Sequence, residues 1–241
     1  MKTVLITGAT SGIGQQLAKD YDAAGWQVIA CGRNSEKLAT LTAGTSMQVL
    51  EFDLMKSDEI AAAGEQIKNE LDMVILCAGT CEYIDDVMQF DNAMFRRVMT
   101  SNVLGMGDCL AAFLHHIPRG GQIALVGSSA SFFPFTRAQA YGSSKAAVSY
   151  LARSLAVDLA PHGVDVSLVS PGFIETPMTD KNDFEMPMKI SVEKAATDIK
   201  QGLDKRKAHI GTPRVFTFLL GLLSQLPHSV QVWLGQKMVK S

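Results

Sequence analysis

Tyr141 and Lys145 stand four residues apart in the run Tyr141-Gly142-Ser143-Ser144-Lys145. On a helix that spacing stacks the two side chains on one face. A phenol with a pKa of about 10 is a poor acid–base group at neutral pH, but a lysine ammonium a few ångströms away favours the phenolate and lowers that value. Such a pair can pass a proton to or from an oxygen held beside it. Alone, the commoner reading is a packing tyrosine beside a solvated lysine, so the surroundings decide. Ser128 and Ser129 follow directly on the apolar run 123–126. A hydroxyl there could donate to a substrate carbonyl and favour the charge that develops on it; a helix cap or turn serine is the plainer alternative. Asn102 interrupts an otherwise apolar helical pattern, which is costly unless its amide is bonded. It either braces the backbone or holds a water chain leading to Lys145.

A second constellation opens the chain. After the apolar run 4–7 come Gly8-x3-Gly12-x-Gly14, an amphipathic stretch and a second apolar run, 28–31. A strand, a glycine turn and a helix in this order suit a dinucleotide: Gly8 makes the tight turn, Gly12 lets the backbone approach a pyrophosphate, and Gly14 lets helix pack on strand. The free N–H groups of the helix start, Ile13 among them, then face the phosphates, with Thr7, Thr10 and Ser11 orienting the turn. A purely structural turn is the alternative for an isolated glycine cluster. The second run ends in Cys31-Gly32-Arg33. No carboxylate stands there to take ribose hydroxyls, and an arginine fork suits a 2′-phosphate, which favours NADP(H) while leaving NAD(H) open; otherwise Arg33 is a surface arginine. Asp53 could meet the adenine amino group, and Leu54 offers the base an apolar side.

These residues need a scaffold, and the hydrophobic pattern supplies one. Strands are expected at 4–7, 28–31, 47–52, 73–77, 123–126 and 164–169. Helices are expected at 13–24, 35–41, 57–70 with Ser57 as cap, 92–115 and 141–159. The alternation indicates an α/β fold, a doubly wound parallel β-sheet sandwiched between helices, in a single domain over 1–241. After Pro171 the rhythm breaks. Residues 173–193 read as a lid beyond a strand end, and 194–241 as a helical region, helical at 191–205 and 213–226, with a last strand at 230–234.

Composition excludes other classes. Hydrophobic residues are 47% and charged residues 19%, which suits a sheet covered on both faces. A net charge of −2 with scattered Lys and Arg indicates neither a nucleic-acid surface nor a polybasic membrane patch. The late apolar stretch 215–223 is far short of the ~20 residues of a membrane span. Cys31, Cys77, Cys81 and Cys109 form no CxxC pair and lack a histidine cluster, so buried thiols in a reducing compartment are expected rather than a metal site. The opening residues lead straight into a strand, leaving no room for a signal peptide. A soluble, cytoplasmic protein is the expectation.

The motifs taken together resemble the short-chain dehydrogenase/reductase family. Its TGxxxGxG is matched by Thr7-Gly8-Ala9-Thr10-Ser11-Gly12-Ile13-Gly14, its YxxxK by Tyr141 to Lys145, its catalytic serine by Ser128, and its helix asparagine by Asn102. Its Pro-Gly and following threonine look like Pro171-Gly172-Phe173-Ile174-Glu175-Thr176. The resemblance covers roughly residues 2–178 and implies a Rossmann-type fold. It further implies a cofactor carboxamide met by the Ile174 backbone and the Thr176 hydroxyl. Two places depart from the family pattern. Cys77-Ala78-Gly79 replaces the usual Asn-Ala-Gly, whose asparagine steadies the central sheet. The end of the chain has Val232-Trp233-Leu234-Gly235 near the family's Val-Asp-Gly-Gly finish, which puts a tetramer in doubt and leaves a homodimer through helices 92–115 and 141–159.

The activity this implies is NADP(H)-dependent interconversion of a ketone or aldehyde and an alcohol. Tyr141 gives the proton, Ser128 holds the oxygen, Lys145 binds the nicotinamide ribose and depresses the Tyr141 pKa, and Asn102 holds the water that reloads the proton. Phe132, Phe133, Pro134 and Phe135, with Phe173, Met178, Phe184, Met186, Pro187 and Met188, suggest an apolar small-molecule pocket or, alternatively, core and dimer contacts. Two rival readings are a dinucleotide-binding regulatory or scaffold protein with little turnover, and a nucleotide-sugar epimerase. The stretch after Pro171 is short for the epimerase.

Overall fold

Val4, Leu5 and Ile6 are each fully buried, and strand alternation sends them to opposite sides of one sheet. Leu5 joins Val74, Ile123 and Leu125 under Ile60, Met106, Phe113 and Val148. Val4 and Ile6 join Ala30 and Ile75 under Leu17, Tyr21, Leu38 and Ile199. Two apolar layers on one sheet explain why the strands read as continuous hydrophobic runs.

The computed structural model describes residues 1–239. Among them, β1 (Thr3–Thr7), β2 (Gln27–Gly32), β3 (Gln48–Glu51), β4 (Met73–Leu76), β5 (Gln122–Val126), β6 (Asp165–Pro171) and β7 (His209–Thr212) form a sheet in the order β3-β2-β1-β4-β5-β6-β7. Every neighbouring pair is parallel. The first layer of helices includes α3 (Ser57–Glu65), α5 (Gly105–Phe113) and α6 (Gln139–Leu159); the second includes α1 (Gly12–Ala23), α2 (Ser35–Thr42) and α7 (Val192–Asp204). The expected Rossmann-type, doubly wound parallel sheet is the fold.

Four details correct the sequence reading. The helix expected over 92–115 is α4 (Asn92–Met99), a π-helical turn (Thr100–Leu104), α5 and a 3₁₀ turn (Leu114–His116), and the π turn carries Asn102. The helix expected over 57–70 ends at Glu65, and its cap position is Lys56; Ser57 is the first helical residue and caps nothing. The last strand is His209–Thr212, not 230–234. Residues 230–234 lie in α9 (His228–Gln236), which follows α8 (Arg214–Leu223). β7 takes the free edge of β6, so no β6 edge is left for a later strand to join.

The lid expected at 173–193 is a loop pinned at its base. Ile190 N–H donates to Phe173 O at 3.1 Å and Glu175 N–H to Ile190 O at 2.9 Å, and a short 3₁₀ turn, Thr179–Lys181, sits inside it.

Candidate active site

Strand order reverses at β1, with β2 on one side and β4 on the other, and a crevice opens at the carboxyl ends of such strands. A cleft of about 540 Å³ lies there. Gly8, Thr10, Ser11, Gly12, Ile13, Gly14, Arg33, Asp53, Leu54, Ala78, Gly79, Tyr141, Lys145, Pro171, Gly172, Ile174 and Thr176 all line it. Ser128 and Asn102 lie behind its wall, both buried.

The glycine turn is dictated by space. Gly8 has φ +71°, in the left-handed region that glycine tolerates, and a Cβ on it would lie 2.9 Å from Ala78 Cα. A Cβ on Gly14 would meet the Gly8 carbonyl oxygen at 2.5 Å, so only glycine lets α1 start this close to β1. The result is a backbone cradle at a helix N-terminus, the environment a dinucleotide pyrophosphate requires. Thr176 from the 173–193 loop lies over Gly12, where a Cβ would come within 3.1 Å of its Cγ2. At the far end, Arg33 Nη1 and Asp53 Oδ2 form an ion pair at 3.5 Å, with the arginine side chain largely exposed.

At the other end stand Tyr141, Lys145 and their neighbours. The long helix α6 presents Tyr141 and Lys145 on one face, with Lys145 Nζ 5.8 Å from the Tyr141 ring centroid. Lys145 is buried and its Nζ donates to Val126 O at 2.9 Å. Burial lowers its pKa to about 8. Tyr141 is pushed above its ordinary value, chiefly by burial and also by the neighbouring Cys81, while hydrogen bonding with Ser128 acts the other way. In the protein by itself, desolvation outweighs the pull of the Lys145 ammonium on Tyr141.

Ser128 fulfils the plainer reading too. Its Oγ accepts from Ala130 N–H at 3.1 Å and caps a 3₁₀ turn, Ser129–Ser131. Its own hydrogen reaches Pro171 O at 3.5 Å, a weak bond, and Tyr141 is its other hydrogen-bonding neighbour, so the hydrogen stays available to a better acceptor. Asn102 is fully buried and braces the backbone. Its Nδ2 donates to Thr80 O at 2.8 Å and to Ser144 Oγ at 3.0 Å, and its Oδ1 accepts from Thr80 N–H at 2.7 Å. Both amide hydrogens are committed, so any water at Asn102 would be held by its carbonyl oxygens. Gly79 keeps this corner open: a Cβ there would lie 3.0 Å from Asn102 Oδ1 and 3.3 Å from Lys145 Nζ.

The cleft also holds groups that sequence reasoning missed. Glu82 and Arg97 line it as a two-pronged ion pair at 2.7 and 3.3 Å; an ion pair between a loop and a helix leaves no periodic trace. Tyr83 OH donates to Asn182 in the lid at 3.0 Å, and its ring meets Phe184 edge-on at 5.6 Å. Arg137 fastens the tip of the 173–193 loop, donating to Asp183 at 2.7 Å and to Asp85 at 2.8 Å. Of the expected apolar wall, Met178 lines the cleft. Phe132, Phe133 and Phe135 instead cluster with Phe216 and Leu220 of α8, the core alternative.

Fold and cleft define an α/β protein of the dinucleotide-binding type. A family model described as short chain dehydrogenase matches residues 2–186. An uncharacterized oxidoreductase of Myxococcus xanthus is 31% identical over 222 residues, spanning 88% of this chain and 87% of that protein. A 3beta-hydroxysteroid dehydrogenase of Mediterraneibacter gnavus is 30% identical, spanning 79% of this chain and 72% of its own length. A short-chain dehydrogenase from Sphingobium yanoikuyae, solved in complex with NADPH, superposes with a TM-score of 0.80 at 25% identity, covering 95% of this chain and 98% of that one. The chain belongs to the short-chain dehydrogenase/reductase family and is an oxidoreductase of that family. Among the described residues no single helix is long and apolar enough to cross a membrane.

Proposed function

We propose that the protein is an NADP(H)-dependent oxidoreductase that interconverts an apolar ketone or aldehyde and the corresponding alcohol. The observation that carries this reading is the convergence of Tyr141 and Lys145 beside the Gly8–Gly14 cradle within one crevice, with Ser128 hydrogen-bonding to Tyr141 from behind its wall. When bound, the nicotinamide dinucleotide supplies or accepts the hydride. Ser128 turns its weakly held hydroxyl hydrogen toward the substrate oxygen and stabilises the charge growing there. Tyr141 passes its proton to that oxygen, or takes one in the reverse direction. Its raised pKa keeps it protonated at neutral pH, the form that reduction needs, and alcohol oxidation needs a cation nearby to bring the value down. Lys145 supplies that positive charge and a donor for ribose hydroxyls. Asn102 is a positioning residue: it fastens Thr80 to Ser144, the residue next to Lys145.

NADP(H) over NAD(H) rests on Arg33 at the end of β2 and on the absence of a carboxylate in Cys31-Gly32-Arg33. The NADPH held by the Sphingobium relative supports it. An apolar substrate is supported by Met178 on the cleft wall and by the steroid named for the Mediterraneibacter relative. We place the enzyme in the cytoplasm as a homodimer. Leu104 of the π turn and Tyr150 and Val157 of α6 are 60%, 70% and 73% exposed, and the last two lie seven residues apart on one face of α6.

The test is Tyr141→Phe assayed with NADPH and a panel of apolar ketones. Turnover should fall by about 10² or more while NADPH binding, read by fluorescence, stays near wild type. Undiminished turnover would remove Tyr141 from the chemistry. NADPH binding without any carbonyl-dependent oxidation in the wild type would favour the regulatory reading.

A further inference from the structure

The chain's charge is unevenly distributed. All 24 acidic residues precede Lys205, and the formal charges within residues 205–241 are all basic: Lys205, Arg206, Lys207, Arg214, Lys237 and Lys240. Averaging over the whole chain hides this asymmetry. The same stretch includes α8 and α9, which meet at a bend of 119°.

Helix α8 carries two apolar stripes. Phe216, Leu220 and Leu223 point inward and cluster with Phe133 and Leu234. Val215, Phe218, Leu219 and Leu222 repeat at i, i+3, i+4, i+7 and are 61%, 65%, 46% and 53% exposed. A helix that is apolar all round belongs inside a core or in lipid, yet this one sits on the surface. On α9, which has no buried residue, Trp233 is half exposed and Lys237 Nζ lies 5.5 Å from its ring. Tryptophan and lysine beside an apolar stripe are the side chains that settle at a headgroup boundary, ring inward and ammonium outward.

We propose that α8 and α9 form a docking surface for an anionic lipid bilayer. The bent pair lies in the headgroup plane, with the exposed α8 stripe among the acyl chains and Arg214 and Lys237 toward lipid phosphates. Charge complementarity selects lipid over a second copy of the chain: two such cationic, acid-free segments facing each other would repel, whereas an anionic surface attracts both helices. Lys205–Lys207 are not needed; Arg206 is spent on Asp165. The surface also reaches the 173–193 loop beside the cleft through side chains in contact. Phe216 meets Phe173 at 5.4 Å, Phe173 meets Phe184 at 6.1 Å, and Phe184 meets Tyr83. Docking would thus hold the lid next to a reservoir of apolar molecules. The proposal does not depend on the redox reading, since binding is measured without turnover.

The experiment is co-sedimentation of the full chain with phosphatidylglycerol-containing vesicles and with phosphatidylcholine vesicles, at low and high salt. Emission of Trp233 is followed in a Trp26→Phe background with brominated lipid as quencher. The protein should pellet with anionic vesicles, less so at high salt, and Trp233 should shift blue and be quenched. Phe218→Glu combined with Leu222→Glu should weaken partitioning roughly tenfold or more, while urea unfolding stays near wild type because both side chains are exposed. A protein that stays in the supernatant with both vesicle types overturns the proposal; if the double variant then also has half the sedimentation mass, the stripe is a contact between copies. Equal pelleting on both lipids overturns the anionic requirement.

Discussion

Lys145 carries a cost that can be measured without knowing the substrate. Its ammonium is buried, and the bond recorded for Nζ goes to Val126 O at 2.9 Å. Burial holds the folded-state pKa at about 8, against an ordinary 10.5. Between those two values the unfolded chain binds more protons than the native one, so stability rises with pH across that window. Below about pH 8 both states carry the charge and the native state bears the whole penalty; above about pH 10.5 both are neutral and the penalty is gone. At about 1.4 kcal/mol per pKa unit, the penalty is roughly 3 kcal/mol. Lys145→Met removes the titrating group and keeps most of its volume. The assay is urea unfolding of wild type and variant at matched pH values through the window, taking the difference. Subtraction matters because buried Tyr21 and half-buried Tyr83, whose pKa values are raised by burial, make the fold lose stability as pH rises. Wild type should gain about 3 kcal/mol on the variant, above a constant offset of ~1 kcal/mol for the lost hydrogen bond. A flat or falling difference would refute the buried ammonium, and with it the idea that the positive field on Tyr141 fades above pH 8.

Further outcomes follow from the same geometry. Arg33→Ala should weaken NADPH binding roughly tenfold while leaving NADH binding nearly unchanged; parallel fluorescence titrations check this, and equal losses would return Arg33 to the surface. Gly14→Ala, with a Cβ 2.5 Å from the Gly8 carbonyl oxygen, should abolish dinucleotide binding and cost about 1–3 kcal/mol in urea unfolding. Gly107→Ala on α5, where nothing lies within 4 Å, should instead gain about 0.5–1 kcal/mol. Arg137→Gly and Arg137→Ala both release Asp183 and Asp85 and should raise KM severalfold with little change in kcat. Because residue 137 has φ +63°, the glycine variant should melt higher than the alanine variant, and the opposite order would refute the backbone argument.

What was legible in the sequence were the features that sterics or burial impose residue by residue. Gly8 and Gly14 are legible because no side chain fits, Tyr141 and Lys145 because a helix face fixes their spacing, and β1, β4 and β5 because burial on both faces demands unbroken apolar runs. What failed depends on partners distant in sequence. The strand His209–Thr212 has one large apolar residue, Ile210, and exists because β6 offers it an edge. Residues 230–234 have strand-like composition but meet no free β6 edge. Arg137 reads as an ordinary loop arginine until Asp85 and Asp183 are brought to it. The aromatic run 132–135 reads equally as pocket wall or as core; α8 packs on it and makes it core, and nothing in the local pattern announces that helix's choice of partner.

The cysteine at position 77 shows how a departure from the family pattern is accommodated. The segment after β4 must be tied to β1, because Gly8 packs against Ala78 there. The tie comes from the neighbouring strand: Thr7 Oγ1 accepts from Cys77 N–H at 3.0 Å and from Ala78 N–H at 3.1 Å. The half-buried Cys77 lines the cleft, with desolvation pushing its thiol pKa up to about 11 and the Gly14 N–H bonded toward it. A neutral thiol beside Lys145 neither attracts nor pairs with the ammonium at neutral pH. Among the described residues no carboxylate pairs with Lys145, so its ammonium is not locked into an internal ion pair.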